Sequence, residues 1–254
     1  MVNIDDVYQK VLAFANKEQR GYITPQEFNL YADQAQKEIF EQYFYDLGQY
    51  SKFESKQAEY ADALDRINEK ISIFETNAVW EGAGTHSNIG NNVYKLGTVY
   101  LTTGASSNFE VNGRVIEIEQ VQQDEYLRML QGPLTKPTGI RPVYVRISNS
   151  PTNNRIRIYP SFFNELDASG TAIYSGDYTF VRKPNKPSWT YFVVGGKALY
   201  DSTSSSLRNF DLHESEETEL VYKILKFAGI SMKQEDISRA GQALEQLQVQ
   251  QEKS

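Results

Sequence analysis

The chain has no cysteine, which excludes a disulfide framework, a thiolate metal site and a cysteine nucleophile. It has only two histidines, His86 and His213, far apart in sequence. Neither has a helical His partner or a nearby Asp or Glu at metal-ligand spacing, and nothing in the sequence suggests the orienting carboxylate and nucleophile that a histidine base requires. No apolar run approaches the roughly 20 residues of a membrane span. The opening MVNIDDVYQK lacks the charged-then-apolar layout of a secretory signal, so maturation is expected in the cytoplasm of the cell that makes the protein. Positive charge is also short: 26 Lys and Arg against 33 Asp and Glu leave a net charge of −7. That balance argues against a basic surface that grips nucleic acid, although an acidic wall would let a duplex slide past.

What remains is an ordinary soluble composition, 40% hydrophobic and 23% charged, with 254 residues to build one large domain or two modest ones. Aromatic residues are plentiful, and 17 Tyr outnumber 13 Phe and 2 Trp. Tyrosine combines contact area with a hydroxyl, so this bias suits wet interfaces as well as cores.

The organising stretch is Gly21 to Gly48. Thr24, Pro25 and Glu27 spell a capping box with proline at the first helical position, and Gly48 is the expected stop. Phe28, Tyr31, Ala32, Ala35, Ile39, Tyr43 and Leu47 recur at helical spacing, and Phe40, Phe44 and Tyr45 widen the apolar surface toward the C-terminal half. Such a helix is covered either by its own chain or partly by a neighbouring subunit.

Before it, Asn3 caps a helix to about Asn16 that buries Ile4, Val7, Val11, Phe14 and Ala15. After it, a helix over Ser51 to Phe74 repeats Phe53, Tyr60, Ile67 and Phe74 at seven residues, with Leu64 and Ile71 between and Gln57 interrupting. The two long helices read as a helical hairpin. From about Thr76 the texture becomes Gly- and Asn-rich, and from Val93 the period becomes two. VYKLGTVYL, VNGRVIEIEQV, PVYVRI, RIRIYP, DYTFVRKP and WTYFVVGG read as short strands, with one helix at QQDEYLRMLQ and a hairpin connection at SNSPTNN. Helices resume after STSSSLRNF. Ser215 is the expected cap of a helix carrying Leu220, Val221, Ile224, Leu225 and Ala228 and ending at Gly229, and a last helix carries Ile237, Ala240, Leu244 and Leu247.

The expected fold class is therefore α+β: an N-terminal helical hairpin or bundle over 1–76, a central mainly antiparallel β domain over 77–200, and C-terminal helices with a tail over 201–254 that pack on the N-terminal helices. Arg141, Arg146, Arg155, Arg157 and Arg182 fall in or beside the strands. They form either one solvated sheet face or a basic patch for a phosphate backbone or an acidic partner.

Enzyme signatures are weak throughout. EGAG lacks the Lys-Ser/Thr of a phosphate loop, and VVGGK reads as a strand end. NKEQRGYITPQE resembles a calcium loop, yet Arg20 replaces a ligand, Pro25 lies inside it, and Glu27 is better used in the capping box. Asp5/Asp6 and Glu216/Glu217 look like partners of helix N-termini rather than an acid/base pair. No catalytic residue, cofactor or metal is expected.

The order of parts, and three stretches within it, resemble head-to-tail connector proteins of tailed phages. The stretches are VYQKVLAFANKEQRGYITPQEFNLYADQAQKEIFEQYF, YTFVRKPNKPSW and FDLHESEETELVYKILKFAGI. The first is similar to virion ring proteins of crAss-like short-tailed phages. The resemblance implies a structural virion protein, a homo-oligomer of about twelve copies assembled in the host cytoplasm. It would bind the portal on one side and an adjacent ring or tail protein on the other, with DNA passing through and no membrane involved. Phe40, Phe44, Tyr45, Ile237, Leu244 and Leu247 are the expected interface residues, and Asp236 to Ser254 the expected assembly arm. The alternative is a monomeric carbohydrate- or protein-binding module of the tail, which exposed aromatics in a β-domain groove would favour.

Overall fold

A computed structural model describes residues 1–17, 23–50, 58–81, 86–104, 115–150, 153–166, 168–170 and 174–231, together with 243, 246, 247 and 250. The protein is α+β and divides into two compact units, a helical unit of 1–73 with 184–254 and a β unit of 74–183. Residues 184–200, expected in the β domain, thus group with the helices.

The helical unit begins with α1 (Ile4–Lys17), where the Asn3 side chain accepts the backbone N–H of Asp5 at 2.9 Å. Helix α2 (Pro25–Tyr50) opens with the predicted capping box: Thr24 Oγ1 accepts from the Glu27 N–H at 3.3 Å, and Glu27 Oε2 accepts from the Thr24 N–H at 3.0 Å. Phe28, Ala32, Ala35, Ile39 and Tyr43 are buried along one stripe, while Tyr31 and Leu47 are half-buried. Gly48 does not stop the helix, which continues to Tyr50. Phe14 is 48% exposed rather than buried, whereas Tyr8, outside the expected buried face, is buried and packs edge-on against Phe28.

Helix α3 (Ala58–Ser72) packs on α2. Of its expected seam, Ile71 is buried, Leu64 and Ile67 are half-buried, Phe74 belongs to the β unit, and Phe53 and Gln57 lie outside the described residues.

The segment after Lys183 is held to these helices by polar side chains, the fully buried Gln36 and the half-buried Asn29 and Asp5. Gln36 donates to the Asn185 carbonyl at 2.7 Å and accepts from the Asp211 N–H at 2.9 Å. Asn29 both donates to and accepts from the Trp189 backbone, and the Trp189 indole donates to Asp5 at 2.8 Å. A full set of such bonds is what permits polar groups in a core.

A hairpin follows, with β8 (Tyr191–Val194) and β9 (Lys197–Tyr200) joined by Gly195 and Gly196. Their φ values of 58° and 78° fit a two-residue turn that only glycine enters without strain, so VVGGK holds the end of β8, as expected, and the hairpin turn that follows it. The chain then enters a short 3-10 turn, Glu214–Glu216. It is capped by the His213 ring, which accepts from the Ser215 N–H, and not by Ser215. Helix α5 (Glu217–Ser231) buries Leu220, Val221, Ile224, Leu225 and Ala228 against α1 and α2, and runs past Gly229.

The β unit is a seven-stranded sheet of β1 (Glu75–Glu81), β2 (Ser87–Asn88), β3 (Val93–Gly104), β4 (Ile116–Gln120), β5 (Val143–Ser150), β6 (Asn153–Tyr159) and β7 (Tyr174–Arg182). The order is β1-β7-β3-β4-β5-β6-β2, antiparallel except for β4 beside β5. Trp80 of β1 shares one core with Ile156 and Ile158 of β6 and Ile89 after β2, so the sheet curls until strands from its two ends meet. On the outer face α4 (Gln123–Met129) stacks Tyr126 on Tyr159 with ring centres 3.7 Å apart.

Candidate functional site

The expected interface residues do not form one surface. Phe40 is buried within its own unit, edge-on against the half-buried Phe44 at 5.1 Å, so it is not available to a partner. Tyr45, one residue on, points outward and is 61% exposed. Leu247 is helical and 56% exposed, whereas Ile237 and Leu244 lie outside the described residues.

Two apolar surfaces escaped the sequence reading. The first is the β8–β9 hairpin. Trp189 anchors its base by stacking near Tyr191 and Tyr200, at 5.7 and 5.9 Å. Beyond that base Phe192 pairs with Leu199 on one face and Val193 with Ala198 on the other, and Phe192, Val193, Val194 and Leu199 are all exposed. A two-stranded ribbon has little stability of its own, and one apolar on both faces suits cover by something else. The second lies after α4 in the β unit, where Leu134 is 94% exposed and Ile140 79%, with Leu127 and Leu130 also exposed. An alternating pattern would have flagged a half-exposed strand; neither feature alternates.

The β unit also has two grooves that share Glu117 and Glu119, neighbours on one face of β4. The open one, about 510 Å³, adds Thr98, Gln120 and Tyr144; the smaller, about 160 Å³, adds Lys136 and Arg141 beside Leu134 and Ile140. Tyr144 is the one aromatic residue lining them, and it is buried. Neither groove therefore offers the exposed ring that a sugar platform uses, and neither includes His86.

His86 and His213 fall in different units. His213 caps the 3-10 turn. His86 lies beside β6, and burial first, then the charges of Arg155 and Arg157, hold its pKa below the ordinary 6.5. The unfolded chain then binds a proton that the folded unit resists. The β unit is expected to lose stability as pH falls below about 6.5, the loss levelling off under the folded pKa. Urea unfolding followed by Trp80 fluorescence in Trp189→Phe protein checks this. His86→Gln should flatten the acid-side slope, and an unchanged slope would contradict it.

The five arginines do not share a face. Arg155 and Arg157 lie on one side of β6, whereas Arg146 pairs with Ile156 and so stands on the other. Arg182 lies over the Phe74 ring at 5.5 Å, and Arg141 is exposed in a loop.

No protein-family model matches the chain, and no curated protein matches it. Among the described residues, no helix is long and apolar enough to cross a membrane, and no group of three His, Asp or Glu could hold a metal ion.

Proposed function

We propose that the chain is one subunit of a connector ring between the portal and the tail of a tailed phage, with DNA passing through the ring. The observation that carries this reading is the pair of exposed apolar surfaces, the β8–β9 hairpin on the helical unit and the Leu134/Ile140 loop on the β unit. A ring closes by heterologous contacts, which need two different surfaces on every copy. Exposed apolar patches mark interaction sites, and a ring subunit buries both against its neighbours.

In this reading function is association and not turnover. Burial of apolar surface contributes about 25 cal/mol per Å², and association and ordering offset much of it. The portal and an adjacent ring or tail protein are the partners, and about twelve copies make the ring. Tyr45 and Leu247 are the exposed members of the expected interface, and the stretch from Asp236 to Ser254 is the arm that reaches a neighbour.

Deleting residues 236–254 is expected to leave the Trp80 and Trp189 unfolding transitions unchanged while abolishing binding to the portal ring on a sizing column. Full portal binding by the shortened chain would remove the arm from the account.

A further inference from the structure

The β unit carries ten acidic and ten basic side chains, so the chain's whole net charge of −7 falls in the helical unit. Within the neutral unit the positive charge is not evenly paired. Arg155 and Arg157 are two apart on β6, about 6.6 to 6.8 Å between Cα atoms for an extended strand. Their neighbours across the sheet are Ile147 and Val145 on β5 and Asn88 on β2, with His86 next in line opposite Arg157. None of these is a carboxylate. Among the described residues neither arginine makes an ion pair, and the Nε of each is covered without a hydrogen-bond acceptor. Arg157 also lies over the Tyr159 ring at 5.5 Å. Both arginine side chains are half-buried on this face of the sheet. Burial first, and then the charges of these two arginines, lower the basicity of His86 beside them.

On α3 of the helical unit, Asp65 and Glu69 are both exposed and stand four residues apart, with Cβ atoms about 5 to 6 Å apart on one face. Among the described residues neither makes an ion pair, nor does Arg66 between them. Like charges at this spacing weaken a helix unless a cation answers them. Two guanidinium forks and two carboxylates at nearly equal spacing are complementary, and such charge-assisted pairs are among the stronger hydrogen bonds.

We propose that Arg155 and Arg157, with His86 beside them, form a cationic face that receives the Asp65 and Glu69 carboxylates of a second copy of this chain. The inference rests on the ring reading and specifies one of its copy-to-copy contacts. The contact joins two different surfaces, the cationic face on the β unit and the acidic pair on the helical unit, as the head-to-tail contacts of a ring require. It fixes register and direction around the ring while the apolar surfaces supply most of the burial.

The test uses the full chain in two variants, Arg155→Glu with Arg157→Glu, and Asp65→Arg with Glu69→Arg, each mixed with portal rings and sized by light scattering. In either variant alone, like charges face each other at every contact. Assembly should then require at least about tenfold more protein than wild type. An equimolar mixture of the two should assemble like wild type, because alternating copies match at every contact, and that rescue also shows that both variants fold. Wild-type assembly should weaken as salt is raised. Wild-type rings unaffected by either variant, single variants that fail with no rescue in the mixture, or a change in monomer stability with no change in assembly would each overturn this contact and leave the ring reading standing. Wild-type protein that never assembles on the portal would overturn the ring reading and this contact together.

Discussion

Replacing Gly176 by alanine is expected to cost the β unit at least about 3 kcal/mol, above the usual range for an overpacked core site. Gly176 of β7 lies between Trp80 of β1 and Leu101 of β3 in the sheet. A Cβ there would run into the Tyr100 carbonyl oxygen and come within 2.7 Å of the Trp80 indole nitrogen. Those two atoms are hydrogen-bonded to each other at 2.9 Å, across the space the glycine leaves open. The obstruction on one side is backbone, so no side-chain rotation relieves it, and β3 and β7 must part along their longest pairing. The chain's two tryptophans make the outcome easy to assign, since Trp80 reports the β unit and Trp189 the helical unit. In Gly176→Ala the Trp80 transition should move to much lower urea while the Trp189 transition stays in place. A Trp80 midpoint within experimental error of wild type would refute this.

The second large effect belongs to the helical unit. Lys70, in the last turn of α3, is 2.6 Å from Glu216, whose side chain is only 1% exposed. The Ser215 hydroxyl donates to the same carboxylate oxygen at 3.0 Å, and the Lys70 ammonium lies 5.7 Å from the centre of the Tyr43 ring. Glu216 is therefore a charge removed from water and answered chiefly by Lys70. Lys70→Ala should cost about 3 to 5 kcal/mol, because it strands that charge. Lys70→Met combined with Glu216→Leu should recover most of the loss, since an apolar pair removes the desolvation cost along with the attraction. Equilibrium unfolding followed at Trp189 gives both values. A loss below about 1 kcal/mol in Lys70→Ala would show that water, and not Lys70, answers the carboxylate.

The parts of this fold that were legible in the sequence are local ones. The capping box at Thr24 and Glu27, the Asn3 cap, the buried stripe of α2 and the β5–β6 hairpin each depend on residues a few positions apart. What was not legible depends on pairing. The parity of Arg146 against Arg155 and Arg157 follows from strand register, which no single strand contains. The grouping of 184–200 with the helices follows from hydrogen bonds of Gln36 and Asn29 to residues about 150 positions away. Ser215 looked like a cap because serine is a good one, but His213 two residues earlier takes the role with its ring nitrogen. Phe40 looked like interface because apolar periodicity marks a buried face without saying whose surface buries it. The β8–β9 hairpin was missed as a surface because a short apolar run reads as core unless its neighbours are known.

The most direct measurement of the central claim is the mass of the purified protein alone and then mixed with portal rings, by light scattering on a sizing column. A complex holding about twelve copies per portal ring is expected, even where the free protein is a monomer. A monomer that leaves the portal's mass unchanged would contradict it.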